Sequence, residues 1–123
     1  RALPLAVSGP FHSSLMKAAA AEFEAELNAV SWQQPKFAVD HNVDNAPAAV
    51  ADIPAKLLAQ LYSPVNWNGA VQACRAKGEW AIEFGPGKVL AGLNKRIDKT
   101  LTTKNTLDVA AFNDALAAIQ GAS

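Results

Sequence analysis

The strongest constraint on this fold is an alternation in the chain. Short apolar runs that end in turn residues are followed, again and again, by stretches whose apolar residues recur at helical spacing. Leu3 to Ser8 is apolar and stops at Gly9-Pro10, and from Ser13 the positions Leu15, Met16, Ala19, Phe23, Leu27 and Val30 follow a helical period. A second strand is expected from Phe37 to about Val43, followed by a surface loop over Asp44 to Pro54. Leu57, Leu58 and Leu61 mark a helix broken at Ser63-Pro64. Val65, Ala70, Val71 and Cys74 mark the next, which ends at Gly78.

Trp80 to Phe84 reads as a third strand, and Gly85-Pro86-Gly87 turns it into a helix with Val89, Leu90, Leu93 and Ile97 on one face. A last strand near Thr106 to Asp108 and a helix over Ala110 to Gln120 complete the series. Strands alternating with helices imply an α/β fold with a mostly parallel sheet and flanking helices.

Composition narrows the functions. With 11 basic and 11 acidic residues and no basic cluster, the 123-residue chain has no electrostatic footprint for nucleic acid or an anionic membrane. No apolar stretch approaches the roughly 20 residues of a membrane-spanning helix, so a soluble protein is expected. Cys74 is the only cysteine, which rules out an intrachain disulfide and fits a reducing, cytoplasmic setting. His12 and His41 lack metal-ligand spacing, so no metal is expected.

His12 follows a strand and precedes a helix, the place where open α/β sheets build ligand crevices, and an imidazole there suits a general base. Position alone does not settle it, because a lone histidine in a loop is more often solvated or structurally bonded. Ser13 is an N-cap type for the helix that follows. Asp40 and Asp44 flank His41, but neighbours on a strand face opposite ways, which disfavours a second acid-histidine pair. Gly85-Pro86-Gly87-Lys88 lacks P-loop spacing and reads as a tight turn, with Lys88 and the exposed N–H groups as a phosphate contact the competing idea. Trp32, Trp67 and Trp80 are separated and read as packing residues.

Val7-Ser8-Gly9-Pro10-Phe11-His12-Ser13-Ser14-Leu15-Met16 closely resembles the histidine motif of malonyl-CoA:acyl carrier protein transacylases and related acyltransferase domains. The resemblance continues, in the family's order, in Asn42-Val43-Asp44, in Gln60-Leu61-Tyr62-Ser63-Pro64-Val65-Asn66-Trp67, and in Glu83-Phe84-Gly85-Pro86-Gly87-Lys88-Val89-Leu90. It covers essentially all of residues 1–123, as the C-terminal portion of the acyltransferase domain and part of its large α/β-hydrolase-like subdomain.

The resemblance implies transfer of malonyl from coenzyme A to the phosphopantetheine thiol of acyl carrier protein, in fatty acid biosynthesis, through a serine ester. It assigns His12 as the catalytic base, the Gln60 main-chain carbonyl as the group that orients it, and Phe11 as the residue that selects malonyl by excluding an α-methyl. Phe11 packing against the sheet is the simpler alternative. No cofactor is implied, since malonyl-CoA is a substrate.

The family's Gly-His-Ser-x-Gly nucleophile elbow, and the arginine that pairs with the malonyl carboxylate, do not occur in this sequence. Ser8, Ser13 and Ser14 are not in a Gly-x-Ser-x-Gly turn. The chain alone is therefore expected to be inactive and to need the N-terminal portion of the same enzyme as a partner. Two other readings stand beside this one. The first is a non-catalytic module that binds acyl carrier protein on a degenerate acyltransferase scaffold; the second is a serine hydrolase of similar fold.

Overall fold

The structure is a computed structural model and describes residues 7–121. The elements in chain order are a 3-10 turn over Ser14–Met16, α1 (Lys17–Ala29), a 3-10 turn over Val50–Asp52, α2 (Ile53–Tyr62), α3 (Trp67–Lys77), β1 (Trp80–Glu83), α4 (Val89–Ile97), β2 (Thr102–Asn105) and α5 (Val109–Gly121). They form two compact units, one up to Trp67 and one from Asn68 onward.

In the first unit α1 packs against α2, with Ala20, Leu27 and Ile53 buried. Lys17 Nζ lies 5.9 Å from the centre of the Tyr62 ring, a cation-π contact that joins the start of α1 to the end of α2. Trp32 donates its indole N–H at 3.0 Å to the Leu27 carbonyl, which also accepts the Val30 N–H at 3.3 Å, so this tryptophan adds a second donor at the end of α1. Pro54 lies in the first turn of α2, where its missing N–H costs nothing.

The second unit carries the sheet. β1 and β2 pair in parallel, Trp80 opposite Thr102 through Glu83 opposite Asn105, and α4 makes the crossover that parallel pairing requires. Both strands contact α4, and β2 also contacts α5. Val71, Leu101 and Ala115 are buried here, with Asn94, whose side chain donates to Thr103 Oγ1 at 3.1 Å. The chain is thus α/β with a parallel sheet and flanking helices.

Several boundaries differ from the sequence reading. Residues 37–40 are irregular, and His41 makes only an isolated antiparallel bridge to Ala46. Strand geometry needs a neighbouring strand to take its N–H and carbonyl groups, and among the described residues this segment has only that bridge. Leu3 to Ala6 of the first expected strand lie outside the described residues, and Val7 and Ser8 are not in a strand.

The last strand comes earlier than Thr106–Asp108 because those residues serve turns. Thr106 Oγ1 accepts from Gly85 N–H at 3.0 Å, and Asp108 Oδ1 accepts from Ala111 N–H at 2.8 Å, capping α5. The apolar stripes are also less buried than their spacing suggests. Leu15, Phe23 and Val30 on or beside α1, and Val89, Leu90 and Leu93 on α4, are all exposed.

Candidate active site

α2 ends where it does because of Pro64. The residue before a proline is pushed to extended backbone, and Ser63 has φ −106° and ψ 145°. A helix end leaves its last four carbonyls without helical partners. Ser63 N–H takes the Ala59 carbonyl at 3.0 Å, and His12 takes the next two. Its main-chain N–H donates to the Leu61 carbonyl at 3.1 Å, and its Nδ1–H donates to the Gln60 carbonyl at 2.8 Å.

Because a carbonyl oxygen can only accept, the proton on Nδ1 is fixed by this contact, and the lone pair of neutral His12 is on Nε2. His12 is exposed, so that nitrogen can be approached from outside this unit. Its backbone has φ +58°, the left-handed region that a side chain with a Cβ seldom occupies. Strain of this kind persists where surrounding bonds hold it, and the two carbonyls of α2 are such bonds.

The turn before the histidine is tied down as well. Ser13 Oγ donates to the Pro10 carbonyl at 2.6 Å, so its hydroxyl closes the Pro10 to Ser13 turn and does not cap the following helix as its type suggests. Phe11 is 57% exposed, and its ring lies over Gly9, where an added Cβ would stand 3.1 Å from the ring. The ring therefore rests on the Gly9 backbone rather than in a core.

Gln60 has a second contact. Its amide Nε2 donates to His41 Nδ1 at 3.3 Å, and His41 is only 7% exposed. Lys56, one turn earlier on the same face of α2, reaches the same loop. Its ammonium lies 2.8 Å from the Asp44 carboxylate and donates to the Ala46 and Pro47 carbonyls. The hydrogen bond from Lys56 holds the Asp44 carboxyl below the usual aspartate range, helped by the Ala46 N–H.

Asn45, at φ +55°, tightens the 41–46 turn and donates from Nδ2 to the Asn66 carbonyl at 3.2 Å. The Asn42-Val43-Asp44 motif is thus part of a buttress for α2. No spacing signal joins His41 to Gln60, because His41 falls in a stretch with the composition of a strand and its ring contact is 19 residues away in the chain.

In the second unit Glu83 occupies the N-terminus of α4, its Oε1 accepting from Leu90 N–H at 3.0 Å and its Oε2 from Ala91 N–H at 2.8 Å. These are the amides a phosphate would need. A carboxylate already fills them, which decides the Gly85-Pro86-Gly87-Lys88 segment as a structural turn, with Gly85 at φ +134°. No group of three or more metal-ligating side chains occurs among the described residues.

No family model matches the sequence. Curated relatives do. The malonyl CoA-acyl carrier protein transacylase of Salmonella typhimurium is 45% identical over 118 residues, covering 94% of this chain and 38% of that protein. The chain is homologous to the C-terminal portion of malonyl-CoA:acyl carrier protein transacylases.

The Staphylococcus aureus transacylase is 44% identical over 120 residues, 93% of this chain and 39% of its own length. Among solved structures, an acyl-carrier-protein S-malonyltransferase from Burkholderia pseudomallei superposes with a TM-score of 0.88 at 44% identity, covering 95% of this chain and 39% of that one. A malonyl-transacylase solved in complex with its type II PKS acyl-carrier protein gives 0.89 at 40% identity, covering 95% and 38%. The chain therefore spans less than two-fifths of the length of the transacylases it matches.

Proposed function

We propose that this chain is the histidine-bearing C-terminal portion of a malonyl-CoA:acyl carrier protein S-malonyltransferase of fatty acid biosynthesis, working in the cytoplasm with the N-terminal portion of the same enzyme. The observation that carries the proposal is the His12 ring, with Nδ1–H bound to the Gln60 carbonyl and the lone pair of Nε2 presented outward.

That arrangement supports general base catalysis. Nε2 takes the proton of a serine hydroxyl as its oxygen attacks the malonyl thioester carbonyl. When the tetrahedral intermediate collapses, the C–S bond breaks and the imidazolium returns the proton to the coenzyme A sulfur. In the second half-reaction Nε2 takes the proton of the phosphopantetheine thiol, whose sulfur attacks the serine ester, and returns it to the departing serine oxygen. Charge and protons balance in each half. The Gln60 carbonyl keeps the ring in one tautomer throughout, the role a carboxylate plays in a serine protease. Phe11, one residue before the histidine and exposed beside it, selects malonyl over branched acyl groups by excluding an α-methyl.

The serine and the arginine for the malonyl carboxylate come from the N-terminal portion. Support for that partner is the exposure of Leu15, Phe23 and Val30, apolar residues whose spacing is that of a covered helix face.

The test is acylation by malonyl-CoA, followed by intact mass, of the complete enzyme and of its His12→Ala form. A malonyl ester should form on a serine outside this chain, with its rate down about 100- to 10,000-fold in His12→Ala. Adding methylmalonyl-CoA as competitor reads Phe11: Phe11→Ala should narrow the preference for malonyl by about 10- to 200-fold. An ester on Ser8, Ser13 or Ser14 would refute the assignment of the nucleophile. No ester anywhere would leave the binding-module reading in its place.

A further inference from the structure

Both anchors of His12 are carbonyls that an uninterrupted helix would have used. In a continuing α2, the N–H of residue 64 would take the Gln60 carbonyl and that of Val65 would take the Leu61 carbonyl. Residue 64 is proline. It has no N–H to give, and it holds Ser63 extended, so the chain leaves the helix before either bond can form. The same two oxygens are the ones that His12 reaches with Nδ1 and with its main-chain N–H.

We infer that Pro64 is a positioning residue for His12: by withholding its own amide proton it reserves the Gln60 carbonyl for the histidine ring and so fixes the tautomer, and by holding Ser63 extended it leaves the Leu61 carbonyl to the histidine main-chain N–H. Pro64 is exposed, and its ring is not part of the buried core. Replacing it therefore opens no cavity and isolates the effect on the helix end. His12 lies far away in sequence, 48 residues before the carbonyl its ring uses, so competition for that carbonyl is a tertiary effect of a local helix stop.

Two replacements in the complete enzyme separate the missing donor from the other properties of the pyrrolidine ring. Pro64→Ala restores the N–H. An α-hydroxy acid with a methyl side chain at position 64 has neither ring nor N–H. In Pro64→Ala the new amide should be protected from hydrogen exchange by the Gln60 carbonyl. The ¹⁵N shifts of the His12 ring should move from a single Nδ1–H tautomer toward a mixture of the two. The hydroxy-acid form should keep the wild-type ring shifts.

The kinetic arm rests on the transferase reading above: kcat should fall about 10- to 100-fold in Pro64→Ala with KM changed much less, as misplacement of a reacting group does. The hydroxy-acid form should recover most of that loss. In Pro64→Ala, an unprotected amide at position 64 or wild-type ring shifts would overturn the inference, as would a hydroxy-acid form that behaves like the alanine form. If the ring shifts move as expected but the parent enzyme transfers no malonyl, the functional reading fails and the role of Pro64 stands.

Discussion

Removing the Glu83 carboxylate should destabilise the second unit by a calculable amount. Glu83 accepts two main-chain N–H groups of α4, at 3.0 and 2.8 Å, and they belong to the four that a helix start leaves without helical partners. A hydrogen bond to a charged group contributes about 1.5–3 kcal/mol net, and loss of a helix cap costs about 0.5–2 kcal/mol. Glu83 is half-buried, so in Glu83→Ala water replaces part of what is lost, and about 1–2 kcal/mol is expected for the pair together.

With a urea slope of about 2 kcal/mol per molar, the middle of the usual range, the unfolding midpoint should fall by roughly 0.5–1 M. Glu83→Gln keeps an oxygen acceptor in place but drops the charge, and should lose about half as much. Urea titration of the full chain, followed by tryptophan fluorescence and far-UV circular dichroism, measures both. Sulfate should stabilise Glu83→Ala more than the parent, because the vacated helix start becomes an anion site. A Glu83→Ala shift within about 0.5 kcal/mol of the parent, the range of an ordinary surface change, would refute the capping argument. So would a glutamine form as damaged as the alanine form.

Gln60→Ala keeps the main-chain carbonyl on which His12 depends and removes the side-chain partner of buried His41. It should cost about 1–3 kcal/mol of stability in urea titration while the ¹⁵N shifts of the His12 ring stay as they are, and a change of His12 tautomer would show that the side chain matters directly. Stability should also fall in acid through Asp98. The Thr100 hydroxyl, then the Thr100 N–H, hold its carboxyl below the ordinary aspartate range. A group whose pKa is lower folded than unfolded contributes stability above the unfolded value and loses it as pH drops through the folded one. The difference in urea midpoint between the parent and Asp98→Asn should therefore be constant near neutrality and shrink below the usual carboxylate range. A difference that grows on acidification would contradict this.

Helices are the most legible part of the fold. α2, α3, α4 and α5 fall within a few residues of their apolar spacing and breakers, because a helix satisfies its own backbone from local sequence. The strands are less so. Thr106 is a strand-favouring type and Asp108 a turn-favouring one, and only the pairing of Trp80 with Thr102 through Glu83 with Asn105 sets where β2 begins and ends. The segment from Phe37 has the composition of a strand, yet among the described residues its only strand-type pairing is one bridge at His41.

At the candidate site, the residues to look at are legible in the chain itself. The histidine motif, Asn42-Val43-Asp44 and Gln60 to Trp67 are recognisable without coordinates, and Pro64 marks the helix stop through its own covalent chemistry. What these pieces do to one another emerges only when the chain is folded. Which carbonyl an N–H finds depends on where the chain folds back, and the contacts of His12 with Gln60 and Leu61, and of His41 with Gln60, join segments far apart in sequence. Spacing along a chain does not encode such contacts, because they are selected by the burial of Ala20, Leu27 and Ile53 that packs α1 on α2.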